Sequence, residues 1–136
     1  MISQLNFIPY FITLFLFTCI DFLWLFSTSH IYKKYLTHLL SPNVNWIGIL
    51  LFYPLYALGL YIFVIKPFDG YSSLISIFLQ AAFFGMVAYG TYDLTNYATL
   101  KEWPGFLVVV DLFWGAFISG SVSVATVCVL RWISHV

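Results

Sequence analysis

Three aspartates, Asp21, Asp93 and Asp111, lie inside stretches of this chain apolar enough to cross a membrane. Each costs about 2.5–3.5 kcal/mol to place near the middle of a bilayer. No Lys or Arg lies deep in those stretches to pair with them. Three facing acids without a base cannot all be ionised, because burial and mutual repulsion oppose the charge. They are expected to titrate as one coupled group that shares at least one proton. A pair of acids split into a protonated and an ionised member can work as general acid and base. The same groups could instead relay protons or bind a small polar molecule. They could also form a hydrogen-bonded plug that fixes helix register, although intramembrane hydrogen bonds average only about 0.6 kcal/mol.

The neighbours of these acids are polar or aromatic. On one stripe Asp111, Gly115, Ser119 and Ser123 follow at steps of four, and on another Ala81, Gly85, Tyr89 and Asp93 do the same. Residues four apart share a helix face, and small residues there admit a neighbouring helix. Asn96 lies three residues from Asp93, beside it on the same face. Asp21-Phe22-Leu23-Trp24 echoes Asp111-Leu112-Phe113-Trp114. Each places an indole three residues from a carboxyl, and an indole N–H can donate to a carboxylate. Tyr53 and Tyr56 share a face, and Pro54 between them frees the Leu50 carbonyl and is expected to bend its helix. Asp21, Asp93 and Asp111 are therefore the candidate catalytic residues, with Trp24, Tyr53, Tyr89, Asn96 and Trp114 as candidate ligand-binding residues. No metal site is assigned. Carboxylates and phenols without His or Cys would suit a hard ion, but His30, His38 and His135 fall at the water-facing ends. No motif names a cofactor.

The elements that must position these residues are transmembrane helices. The chain has 136 residues, 62% hydrophobic and 7% charged, with a mean hydropathy of +0.98. Soluble domains carry about 25% charged residues, so this chain could not cover a water-facing surface. Its formal net charge is zero, which excludes a nucleic-acid footprint. A span needs about 20 apolar residues. Four segments qualify, about 8–29, 46–65, 72–97 and 104–133. The fold class is all-α, one polytopic domain over 1–136, an antiparallel bundle of four helices. Ser41-Pro42-Asn43, Lys66-Pro67-Phe68-Asp69-Gly70 and Lys101-Glu102-Trp103-Pro104-Gly105 are the breakers. The N-terminal Met1–Asn6 segment lacks a basic region, which reads as a retained first span rather than a cleaved signal. His30–Leu40 extends the first helix or lies along the interface.

Antiparallel threading brings the acids to one depth. At 1.5 Å per residue, Asp21, Asp93 and Asp111 lie about 12, 6 and 10 Å in from the same face, and Tyr53 joins that layer. This face carries Lys33, Lys34 and Lys101 against Lys66 and Arg131 on the other, so the basic loops are expected in the cytoplasm and both termini outside. Trp46, Trp103 and Trp132 read as interfacial belt residues. Cys19 and Cys128 are too far apart for a disulfide and read as apolar packing. Gly59 and Gly120 are small residues read as lipid-facing, where they would serve a homo-oligomer.

The run Tyr92-Asp93-Leu94-Thr95-Asn96-Tyr97-Ala98-Thr99-Leu100-Lys101-Glu102-Trp103-Pro104 resembles the signature of a bacterial membrane family, domain of unknown function 2177. The Asp21-x-x-Trp24 and Asp111-x-x-Trp114 segments resemble its pattern too, and the resemblance covers nearly the whole chain. It implies a small bacterial inner-membrane protein with four spans and brings no activity. An association of such genes with lipid-modifying enzymes favours membrane lipids or lipid-linked molecules as partners. Enzyme, proton-coupled or small-molecule transporter and structural subunit all remain open at this point.

Overall fold

The computed structural model describes residues 7–68 and 70–135, and four helices account for nearly all of them. The expected features at Met1–Asn6 and at Asp69, and the His135 side chain, lie outside the described residues. Helix α1 runs Ile8–Leu36 and α2 runs Trp46–Leu60, continuing as a π-helical turn over Tyr61–Ile65. Helix α3 is Leu74–Thr99 and α4 is Gly105–His135. All four are long and apolar enough to cross a membrane.

Local chemistry sets the ends. Proline in the first turn of α1 occupies a position whose N–H has no helical partner anyway. Lys33 and Lys34 sit in its last turn, where positive charge complements the helix dipole. Asn45 and Ser73 cap α2 and α3 through side-chain oxygens that accept from Ile47 N at 3.1 Å and Ser76 N at 3.2 Å. These bonds satisfy N–H groups that each helix start leaves open. After α3 the backbone is extended at Leu100 and left-handed at Glu102, φ 57°, which turns the chain tightly into Pro104 and α4.

Helix α1 runs seven residues past its expected end at Ser29, so His30–Leu36 continues the helix and does not lie along the interface. Two of the added residues face inward. Leu36 packs with Trp103, Leu107 and Val108, and Tyr32 reaches α4. In α2 the π turn closes with Lys66 N donating to Tyr61 O at 2.7 Å. Its extra residue per turn lets the adjacent Val64 and Ile65 both be buried.

Helix α4 is the hub. In its most apolar window 50% of residues are buried inside the molecule, against 28% or less in the other three. It packs along α3, and α1 packs on both α4 and α2. The α3–α4 contact runs through small residues, as the two stripes require. A Cβ at Gly115 would lie 2.8 Å from the Gly85 carbonyl oxygen and 2.5 Å from the Tyr89 ring. Gly120 and Gly59 differ from expectation. Gly120 is buried, and the Phe78 and Phe84 rings fill the space beside Gly120 and Gly59 respectively. Cys19 and Cys128 are free and exposed, so they face outward instead of packing inside. Phe15, Phe26, Phe83 and Phe113 also point outward, as lipid-facing bulk does.

Candidate functional site

Two carboxyl sites sit on α4, and they differ in how fully their hydrogen bonds are made. Asp21 of α1 is buried. Tyr53 of α2 donates its hydroxyl to Oδ2 at 2.6 Å, and Trp114 of α4 donates its indole N–H to Oδ1 at 3.0 Å. One carboxyl thus ties three helices, with one donor on each oxygen. Phe22, the residue after Asp21, stacks on the Tyr53 ring at 5.4 Å and holds the phenol in place.

The echoed Asp-x-x-Trp motifs work across helices. The expected intrahelical pairing of each indole with its own aspartate is replaced by an exchange. Trp114 of the α4 motif serves Asp21 of the α1 motif. Trp24 lies beside the Tyr32 hydroxyl, and Tyr32 in turn donates to Asp111 Oδ1. The two indoles stack face to face, centroids 4.2 Å apart and planes 9° from parallel. A side chain three residues on has turned about 300° around the helix, so each indole can lean toward the neighbouring helix while its own carboxyl points elsewhere.

Asp93 of α3 is the exception. It is 0% exposed and neither carboxyl oxygen has a hydrogen bond. Asp111 and the Trp103 side chain are its neighbours, yet the Trp103 Nε1 is itself buried without a partner. Almost every buried polar side chain in a folded protein has a partner; here the indole donor and the carboxyl acceptor are neighbours that fall outside hydrogen-bond geometry. Asp93 and Asp111 form a close pair. The three acids do not converge as metal ligands would, no such group of His, Cys, Asp or Glu occurring among the described residues.

The remaining candidates divide. Tyr89 is half-buried, edge-on to Tyr56 at 5.9 Å, and within electrostatic range of Asp21 and Asp111. Asn96 is half-buried and lies by Tyr92. It gives Asp93 no hydrogen bond, contrary to its expected place beside that carboxyl. Three contributors were missed. Tyr32 is eleven residues after Asp21, three full turns, so the shared face was readable had the helix been carried that far. Trp103, expected in the interfacial belt, is only 8% exposed and packs on Leu36 and Leu107. Tyr56 donates to or accepts from Ser119 at 2.7 Å, and its position beside Tyr53 was the available signal.

Compared with known proteins, residues 6–128 match the model of a family described as "Predicted membrane protein (DUF2177)". No curated protein matches the chain, and no solved structure does.

Proposed function

The chain belongs to the DUF2177 family of predicted membrane proteins, and on that premise we propose that it binds, and acts on, the polar headgroup of a membrane lipid or lipid-linked molecule at the Asp93–Asp111 pair. The observation that carries this reading is the buried Asp93 carboxyl, which accepts no hydrogen bond from any N–H or hydroxyl and has its acid neighbour Asp111 beside it. Such a group is costly to leave unmade, and a ligand hydroxyl or amine would satisfy it. Two adjacent acids cannot both be charged, so the pair holds a proton between them. One member can donate it to a ligand while the other accepts from it. Tyr32 fixes Asp111 in orientation, and Asp21, with both oxygens already bonded, anchors the surrounding helices.

The bundle has one hydrophobic exterior, so a substrate dissolved in the bilayer approaches the helices that bury the pair without crossing water. Aromatic residues on that exterior, Tyr92 and Tyr97 near Asp93 on α3 and Phe106 before Asp111 on α4, are exposed and suit acyl-chain contact. In this reading the site opens toward the face with Lys33, Lys34 and Lys101, in the cytoplasm of a bacterial inner membrane, with both termini outside.

The test compares total lipids of a strain lacking the gene with wild type. At least one lipid species should change in the deletion strain. The wild-type gene should restore it, while Asp93→Asn and Asp111→Asn should not, at equal protein level in the membrane. An unchanged lipid profile under several growth stresses would sink the proposal.

A further inference from the structure

Helix α4 carries a second polar feature, longer than the carboxyl site. Asp111, Ser119, Ser123 and Thr126 all face the interior, and the three hydroxyl residues are each 0% exposed. From Asp111 to Thr126 is 15 residues, about 22 Å at 1.5 Å per residue. The hydrocarbon core of a bilayer is about 30 Å thick. The file therefore covers most of the depth that a proton must cross without bulk water.

Partners from other helices thicken it. Tyr53 bonds Asp21, and Tyr56 pairs with Ser119 at 2.7 Å. At the far end Thr126 Oγ1 lies 3.2 Å from Thr13 Oγ1, and Thr13 donates to the Pro9 carbonyl at 2.8 Å. Because the Thr13 proton is committed there, Thr126 is the donor in that pair. Tyr53 and Tyr56, three residues apart on one face of α2, reach Asp21 and Ser119 respectively, which links the carboxyl layer to Ser119.

Two observations separate this file from an ordinary small-residue seam. First, Ser27, Thr28, Thr91, Thr95 and Thr99 each donate to the carbonyl four residues back in their own helix. That is the usual way for a hydroxyl in an apolar helix to be satisfied. Ser119 and Thr126 instead bond to other helices' hydroxyls. Second, the Ser123 Oγ is buried with no hydrogen bond at all, in line with both. A water between Ser119 and Ser123 and another between Ser123 and Thr126 would each have two hydroxyl partners, the least that a buried water needs. Such waters would bridge the intervals of about 6 and 4.5 Å along the axis on either side of Ser123.

We propose a second function, in which this file of hydroxyls conducts protons between the carboxyl layer and the opposite membrane face. A proton entering at the carboxyls is accepted by a hydroxyl or water oxygen, which releases its own proton to the next. One proton enters, one leaves near Thr13, and every group returns to its starting state after its hydroxyl reorients. No oxidant or co-reactant is needed, and the membrane potential supplies the drive.

The test reconstitutes the full chain in liposomes that contain a pH-sensitive dye, with a potassium diffusion potential, negative inside, set by valinomycin. Wild type should acidify the lumen faster than protein-free liposomes. Thr126→Val keeps the shape and removes the hydroxyl, and Ser123→Ala removes a hydroxyl that makes no bond. Each should slow the flux about tenfold, the effect of about 1.4 kcal/mol on one transfer step. Thr126→Ser and Ser121→Ala, the latter outside the file, should conduct like wild type. Wild-type flux equal to that of protein-free liposomes overturns the proposal, and so do Thr126→Val and Ser123→Ala at wild-type rate. Should Thr126→Val fail to fold by gel filtration, Ser123→Ala decides alone. The assay contains no substrate lipid, so its failure leaves the lipid reading standing, and an unchanged lipid profile leaves this one standing.

Discussion

Asp21 and Asp93 are the same residue type on different helices, both buried, and they are opposites. Asp21 has a donor on each oxygen from two other helices. Asp93 accepts none from any N–H or hydroxyl. A satisfied buried carboxyl contributes to a unique arrangement of helices, while an unsatisfied one weakens the fold and persists where something else requires it. The first ties the bundle together, and the second is where we propose that a ligand binds.

Four substitutions can break or sharpen that contrast, each read as unfolding in detergent micelles. The largest loss is expected from Asp21→Ala, which strands the Tyr53 hydroxyl and the Trp114 N–H. Each stranded buried donor costs about 1–3 kcal/mol. A stability equal to wild type would show that Asp21 does not tie the helices. Gly115→Ala comes next, since its Cβ would press on the Gly85 carbonyl and the Tyr89 ring. We predict a loss of about 1–3 kcal/mol, typical of overpacking, and a crossing that tolerates alanine would disprove this contact. Tyr32→Phe removes the hydroxyl on Asp111 and should cost about 1 kcal/mol, measured against wild type in the same micelle. The smallest change is expected for Asp93→Asn, within about 0.5 kcal/mol, because the amide keeps the shape and can itself donate to Asp111. A large destabilisation there would mean that Asp93 is structural after all, and the distinction between the two acids would fall.

Much of this was readable before any coordinates. The four spans follow from hydropathy, and the second was bounded to the residue, Trp46–Ile65. The inward stripes on α3 and α4 followed from small and polar residues at steps of four, and Gly85, Asp93, Gly115, Ser119 and Ser123 are all buried. Apolar residues could not have given this, because they line both the core and the lipid face of each helix. In a membrane the polar residue is the informative one. What stayed hidden depends on neighbours. Trp103 next to a span end has the sequence context of a belt residue, and only the packing of Leu36 and Leu107 against it turns it inward. The exchange of indoles between α1 and α4 depends on which way two helices lean, which spacing along one helix does not encode. Asn96 shared a face with Asp93 by count, but three residues of rotation sufficed to place it by Tyr92.

The Trp114–Asp21 bond spans 93 positions of sequence, and that distance sets a clock on biogenesis. A ribosome adding about 5–20 residues per second delivers α1 to the bilayer on the order of 5–20 s before the indole that completes its carboxyl. During that interval the first helix waits in lipid as an incomplete part. Arrival of the last helix closes the molecule from the end backward. A nascent chain cut short before α4 therefore lacks the donor that completes the Asp21 carboxyl.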